Sequence, residues 1–163
     1  MTHTLARRSA RVLLLDSDDR LLLFRMRGLT PGESEWLTPG GGVKRGEKLA
    51  EAAARELWEE TGLRTTAAVL GRPVAVTGGH ADLGWKSGLF EDVFFLHRVV
   101  SHEVDTSRME TYESGSTTGH RWWPVAELAT TAERVIPLRL APLLTDLLAG
   151  RVPAEPVRLP WHH

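Results

Sequence analysis

The sequence contains no cysteine, and this absence excludes several kinds of chemistry at once. Without thiols the chain can form no disulfide bond, no thiolate metal site and no cysteine nucleophile. Any catalysis must therefore use other groups. The lack of cysteine is also compatible with a reducing compartment, so we expect a cytoplasmic location.

The sequence also lacks an excess of charge of either sign. It has 20 lysines and arginines against 21 aspartates and glutamates, which gives a formal net charge of -1. Such a chain has no strong positive field to hold a polyanion nonspecifically. We therefore expect a small-molecule partner rather than a long nucleic acid.

A long unbroken hydrophobic run is absent from the start of the chain. The stretch from Met1 to Arg11 contains three arginines, and the short apolar run Val12 to Leu15 is ended by Asp16. A signal peptide or a membrane span needs a longer apolar segment. We expect no association with a membrane.

The length of 163 residues fits one domain around a single core. The composition, 42% hydrophobic and 25% charged, is ordinary for a globular protein. We expect one domain over residues 1–150 and an extended, proline-rich surface tail over 151–163. The final His162 and His163 are not expected to belong to a site.

Alternating and β-branched patterns predict a sheet. The runs Ala10 to Leu15 and Leu21 to Met26 are separated by a turn rich in aspartate, which predicts a β-hairpin. Further strands are predicted over Val69 to Thr77, Val93 to Val100 and Arg121 to Trp123. Trp122 and Trp123 would point to opposite faces, so one of them is expected in the core.

Three segments have helical patterns. Lys48 to Thr61 combines strong helix formers with an apolar side, which includes Trp58, and Gly62 follows as a stop. Pro124 to Leu128 predicts a helical turn, and Leu138 to Leu148 predicts an amphipathic helix. Together with the strands, these segments predict an α/β (α+β) fold, in which helices flank a mixed β-sheet.

The loop before the first helix contains three successive glycines, Gly40 to Gly42. Glycine allows backbone conformations and close approaches that other residues do not. Taken alone, the loop is equally well explained as an ordinary turn. Next to the helix that follows, it could wrap a ligand or a metal.

The helix over Lys48 to Thr61 contains a cluster of acidic residues. Glu56, Glu59 and Glu60 are three and four residues apart, so they share one side, opposite the apolar residues. Each like-charge pair costs a solvated helix about 0.2 to 0.5 kcal/mol, and a hard cation would reverse that cost. The spacing suits magnesium or manganese. The alternative is a solvated charged face, which would leave the glycines unexplained.

The stretch from Gly41 to Leu63 resembles the Nudix hydrolase signature, and each fixed position of that signature is occupied in order. The resemblance implies a Nudix-type α/β/α sandwich. It also implies that Mg2+ or Mn2+ is bound by Glu56, Glu59 and Glu60 with the carbonyl of Gly40. Glu47 would support the metal site electrostatically or through water, and Arg55 would orient a carboxylate.

The residue that removes a proton from the attacking water is left open. Glu56 is one candidate. The family often uses a further acidic residue beyond the signature, and Glu113 is the first choice, with Glu110 next. The alternative for both is an ordinary exposed loop residue.

The resemblance implies hydrolysis of a phosphoanhydride bond in a nucleoside diphosphate linked to a moiety X. The signatures of family members selective for ADP-ribose or for dinucleoside polyphosphates are absent from the segment around Gly78 to His80. A nucleoside triphosphate, including a damaged one, is the default by elimination. The alternatives are a Nudix-fold regulatory module that binds a nucleotide without hydrolysing it and an RNA-end decapping enzyme, which would need a basic groove.

The glycine-rich segment after the signature contains His80, Trp85 and Lys86. An aromatic ring could stack on a base and a lysine could bind phosphate, although scattered surface residues are the favoured interpretation. The sequence leaves the oligomeric state open, with a homodimer as one option.

Overall fold

The strands build one sheet whose centre is the first strand of the chain. The computed structural model describes residues 5–28, 32–110 and 116–163. Within these residues the strands are β1 (Leu5–Leu15), β2 (Arg20–Arg27), β3 (Ser34–Leu37), β4 (Gly40–Gly42), β5 (Ala75–Asp82), β6 (Ser87–Arg98), β7 (Thr117–Pro124), β8 (Val135–Ile136) and β9 (Val157–Arg158).

The sheet is mixed, as predicted. Its main strand order is β8-β3-β2-β1-β6-β5-β9, while β4 pairs with β1 and β7 pairs with β2. The strands β1 and β6 run parallel along most of their length, whereas the hairpin β1–β2 is antiparallel. The predicted hairpin is therefore confirmed.

Two helices pack on opposite faces of this sheet. The described helices are α1 (Leu49–Thr61), α2 (Ala67–Leu70), α3 (Val125–Leu128) and α4 (Leu140–Leu148). One apolar cluster lies between α1 and the sheet and includes Val12, Leu14 and Leu57. The other lies on the α4 side and includes Leu13 and Trp123. The predicted α+β fold, with a mixed sheet between helices, is confirmed.

One predicted strand is wrong in its first half. Val69 lies in the short helix α2, not in a strand, and β5 begins only at Ala75. The hydroxyl of Thr66 accepts a hydrogen bond from the Val69 N–H at 3.2 Å, which caps α2, and Gly71 ends it. A local capping interaction therefore overrides the preference of β-branched residues for strands.

The other predicted elements are present with shifted ends. The strand expected over Val93 to Val100 begins earlier, at Ser87, and ends at Arg98. Trp123 is completely buried and Trp122 packs against the cluster on the other face, so the expectation that one tryptophan is in the core is confirmed. No helix in the described ranges is long and apolar enough to cross a membrane.

The C-terminal tail continues the sheet. Its strand β9 runs parallel to β5, and the Leu159 N–H donates to the Val76 carbonyl at 2.9 Å. The segment is extended, as predicted, but Leu159 is buried in the α4-side core, so the tail is not wholly a surface segment. The ring of Trp161 lies over Gly79, where a β-carbon would come within 2.3 Å of the ring. Only glycine fits at this position.

Candidate active site

Small residues bring α1 close to the sheet. Ala52, Ala53 and Leu57 are fully buried at its inner face. Glu56 and Glu60 lie beside them and are only 4% and 6% exposed. The expectation that the carboxylates point away from the apolar side is wrong for these two residues. The buried side of α1 is wider than the row of apolar residues and also includes positions 56 and 60.

Two further side chains of α1, Glu59 and Trp58, are not buried in the core. Glu59 remains partly exposed, at 20% of its side chain. Trp58 was expected on the apolar side, but its ring lies under the guanidinium groups of Arg64 and Arg108, at 4.0 and 4.1 Å. Cation–π contacts therefore hold this ring at the surface instead of in the core.

The glycines of β4 make the close approach between α1 and the sheet possible. The N–H of Gly40 donates a hydrogen bond to Oε2 of Glu60 at 3.0 Å. Gly40 has a φ of 146°, which disfavours other residues. A β-carbon on Gly41 would lie 2.6 Å from Oε1 of Glu56. Gly40 to Gly42, predicted as a loop, form the short strand β4, because they pair with β1. This glycine loop is in direct contact with the carboxylate helix.

Arg55 is the centre of the charged cluster. Its Nε and Nη2 donate to the two carboxylate oxygens of Glu47, at 2.8 and 3.0 Å. Its Nη1 donates to Glu56 at 2.9 Å and to Glu59 at 3.3 Å, and Nη2 also donates to the Gly42 carbonyl at 3.0 Å. One guanidinium therefore fixes three carboxylates and one backbone carbonyl.

These contacts shift the pKa values of Glu47 and Arg55. The hydrogen bond from Arg55 holds the pKa of the Glu47 carboxyl below its ordinary value. The hydrogen bond that Arg55 donates to Glu47 is the largest cause of a raised pKa of Arg55. A tight turn also fixes Glu47, because its Oε1 accepts from the Lys44 N–H at 3.0 Å. The Arg55–Glu47 pair thus stays ionised.

The chemistry of the cluster fits a hard divalent cation. Oε2 of Glu56 is buried and has no hydrogen-bond partner among the described residues, although a buried polar atom normally has one. Carboxylate and carbonyl oxygens are the ligands that magnesium prefers. In the part of the chain that is described, no three acidic or histidine side chains form a ready metal-binding group. The ligand oxygens are present, and among them those of Glu56 and Glu59 accept hydrogen bonds from Arg55.

The structure brings most of the predicted site residues together. They are Gly40, Glu47, Arg55, Glu56, Glu59 and Glu60. Glu113 lies outside the described residues, and Glu110 is exposed. Their proposed role as an additional acid or base stays a prediction.

Sequence reasoning missed two arginines of β1 that border the glycine loop. Nη1 of Arg11 donates to the Thr38 carbonyl at 2.9 Å, and its side chain packs against Gly40. The guanidinium of Arg7 packs against Gly42. The even spacing of the two arginines along a strand, which places them on one side, was the available signal.

The three residues singled out beyond the signature lie on or near the β5–β6 hairpin. His80 and Lys86 are exposed, and the carbonyl of His80 accepts from Trp161 Nε1 at 2.9 Å. Trp85 is 63% exposed although it is a large apolar side chain. Among the described contacts, none of these three residues bonds to Arg55.

Comparison with known proteins gives matches over most of the chain. A model of the NUDIX domain matches residues 5–144. An RNA pyrophosphohydrolase of Caulobacter vibrioides is 31% identical over 149 residues, covering 85% of this chain and 82% of that protein. The human m7GpppN-mRNA hydrolase is 45% identical over 53 residues, which are 32% of this chain and 16% of that protein.

Solved structures show the same fold at low sequence identity. The MutT protein from Methanosarcina mazei Go1 has a TM-score of 0.60 and 20% identity, with 92% of this chain and 98% of that chain covered. The NUDIX domain of NrtR from Shewanella oneidensis, complexed with ADP ribose, has a TM-score of 0.64 and 18% identity. The match covers 91% of this chain and 90% of that domain's chain.

Proposed function

Since this chain belongs to the Nudix hydrolase family, we propose that it hydrolyses a phosphoanhydride bond in a nucleoside diphosphate linked to a moiety X. A nucleoside triphosphate, including a modified one, is the first substrate to test. The observation that carries the proposal is the buried carboxylate of Glu56, which Arg55 holds at one oxygen while the other oxygen has no partner among the described residues.

Hydrolysis of a phosphoanhydride requires neutralised phosphate charge and a positioned water. Magnesium or manganese, held by Glu56, Glu59, Glu60 and the Gly40 carbonyl, would supply that neutralisation. The protein's own contribution is the fixed orientation of these donors. Arg55 holds Glu47 and Glu56 in place, and the Gly40 N–H holds Glu60.

The free oxygen of Glu56 is also suited to accept a proton from water. It faces the glycine loop, and Gly41 has no side chain that would block the approach. A base must lie within hydrogen-bond reach of the proton that it removes. Glu56 is therefore our first candidate, and Glu113 and Glu110 remain the alternatives for this step.

A second candidate substrate is the 5′ end of an RNA. It is favoured by the similarity to an RNA pyrophosphohydrolase over 85% of this chain. The bond broken would be of the same kind, so the same carboxylates would act. The net charge of -1 argues that only the terminal nucleotides of such an RNA would be held.

A panel of substrates tests the proposal. Nucleoside di- and triphosphates, nucleotide sugars, ADP-ribose, dinucleoside polyphosphates and a short 5′-triphosphorylated RNA are incubated with magnesium, manganese or excess chelator, and products are identified by mass. We expect hydrolysis of at least one compound with either metal and none with chelator. Full activity in chelator would contradict the metal assignment.

The same panel separates the enzyme from a regulatory module. If no compound is hydrolysed but one binds tightly, the chain recognises a nucleotide without turnover and the proposal fails. The identity of the best substrate then decides between the two candidates. A preference for the RNA over all free nucleotides would favour the second.

A further inference from the structure

We propose that Trp85 and Arg7 form a subsite beside the glycine loop that binds the nucleoside part of the substrate. The base would stack on the Trp85 ring, and the Arg7 guanidinium would contact the adjoining phosphate. This inference rests on the proposed function, because it assigns a binding place to the nucleotide that the carboxylate helix would hydrolyse.

Trp85 is an exposed aromatic ring on a fixed turn. The Leu83 N–H donates to the Lys86 carbonyl at 2.9 Å, and the Gly84 N–H donates to Oδ1 of Asp82 at 3.0 Å. The ring makes an edge contact with Phe90 at 6.4 Å and is still 63% exposed. An apolar ring held in place and left open to solvent is suited to stacking on a base.

Arg7 supplies a positive charge next to this ring. Its guanidinium carbon lies 5.4 Å from the centre of the Trp85 ring. Its neighbours in β1 are paired, Arg8 with Glu91 at 2.8 Å and Arg11 with Asp92 at 3.9 Å. No acidic partner for Arg7 is found among residues 5–28, 32–110 and 116–163. An uncompensated guanidinium is a good ligand for phosphate.

Gly42 connects this pair to the carboxylate cluster. A β-carbon on Gly42 would lie 3.3 Å from Nε and Nη2 of Arg7, so the two residues are in contact. The carbonyl of the same glycine accepts from Arg55 at 3.0 Å. A single residue therefore separates Arg7 from Arg55. The Arg7–Trp85 pair therefore adjoins the Arg55 cluster through Gly42, and we place the anhydride at the carboxylates and the base at Trp85.

This arrangement predicts what the subsite selects. Each nucleobase has an aromatic face, so stacking on Trp85 favours nucleotides over phosphates that lack a base, with little choice among bases. Arg7 would favour any phosphate chain, with or without a base. Substitution of Arg7 should therefore weaken the binding of a compound without a base, whereas substitution of Trp85 should not.

The test compares Trp85→Ala, Trp85→Phe and Arg7→Ala with two controls. The controls are Val100→Ala, a change at an exposed apolar side chain, and Arg151→Ala, a change at an exposed arginine paired with Asp146. KM and kcat are measured for the best nucleotide of the panel. Inorganic tripolyphosphate, which lacks a base, is used as a competing ligand.

We expect Trp85→Ala to raise KM about tenfold with kcat within about twofold, because stacking contributes equally before and during the reaction. Trp85→Phe should raise KM by about threefold or less. Inhibition by tripolyphosphate should be unchanged in both variants. Arg7→Ala should raise KM about tenfold and weaken tripolyphosphate inhibition by a similar factor.

A KM for Trp85→Ala equal to that of Val100→Ala would overturn the inference. So would an equal loss of nucleotide and tripolyphosphate binding in Trp85→Ala. If the wild type hydrolyses nothing, the proposed function fails, and ATP binding by calorimetry still tests the subsite. Trp85→Ala should then bind ATP about tenfold more weakly, and an unchanged affinity would refute the role of the ring. A thermal midpoint equal to that of the wild type shows that each variant is folded.

Discussion

Arg55→Ala is expected to destabilise the fold strongly, because Arg55 holds the charged cluster together. Arg55 donates five hydrogen bonds within the cluster, to Glu47, Glu56, Glu59 and Gly42. Without it, the buried carboxylate of Glu56 loses its donor at Oε1, and Oε2 has no partner among the described residues. The variant therefore has a buried charge without compensation.

The size of the expected loss of stability follows from the burial of the charged partners. Removing one partner of a buried ion pair costs about 3 to 5 kcal/mol. The Arg55 side chain is 19% exposed, so we take the lower end, about 3 kcal/mol. For a domain of this size, that loss lowers the thermal midpoint by about 6 to 12 °C.

The assay is thermal and urea unfolding in excess chelator, with Arg55→Lys and Arg151→Ala alongside. The lysine retains a charge but cannot bind both oxygens of Glu47, so an intermediate loss is expected. Arg151→Ala removes only an exposed pair and should change stability by less than about 1 kcal/mol. Adding magnesium should stabilise Arg55→Ala at least as much as the wild type, because a cation would neutralise the same carboxylates. An Arg55→Ala protein as stable as the wild type in chelator would refute this reasoning.

Three further predictions concern pH, the glycine loop and the tail. The pKa of Glu47 is lowered by folding from its ordinary value of 4.5, so its contribution to stability is present above that pH and is lost as the pH falls through the folded pKa. Urea unfolding of the wild type and Glu47→Gln should differ near neutral pH and converge in acid, whereas a constant difference would contradict the linkage. Gly41→Ala places a β-carbon 2.6 Å from Glu56 Oε1 and should lower kcat at least about tenfold while circular dichroism stays unchanged. Wild-type turnover would show that the contact is unimportant. Thr77→Val removes the hydroxyl that donates to the Leu159 carbonyl at 2.9 Å, so it should cost about 1 kcal/mol and speed hydrogen exchange of the tail. Unchanged exchange would show that the tail is held by other contacts.

The sequence predicted those parts of the fold that local patterns determine. The helix α1 follows from its strong helix formers and from Gly62, and the first hairpin follows from two apolar runs around an aspartate-rich turn. The close contact between the glycine loop and Glu56 agrees with the glycine at position 41, where a β-carbon would press on the Glu56 carboxylate.

The remaining features depend on contacts between distant parts of the chain. The burial of Glu56 and Glu60 could not be read from helical spacing, because spacing defines a side of the helix but not the width of its buried face. The pairing of β9 with β5 and the packing of Trp161 on Gly79 join segments about half the chain apart. No local pattern contains that information.

The central claim, that the carboxylates of α1 act in hydrolysis, is tested most directly by the turnover of Glu60→Gln. The amide oxygen can still accept from the Gly40 N–H, as Oε2 of Glu60 does at 3.0 Å, so the fold should be retained. Loss of one negative charge at the site should reduce kcat on the best substrate at least about a hundredfold, equivalent to roughly 2.7 kcal/mol of transition-state stabilisation. The thermal midpoint in chelator should fall by no more than about 2 °C, or rise, because Glu60 no longer repels Glu56. A folded Glu60→Gln protein with wild-type turnover would contradict the assignment of this helix as the catalytic element.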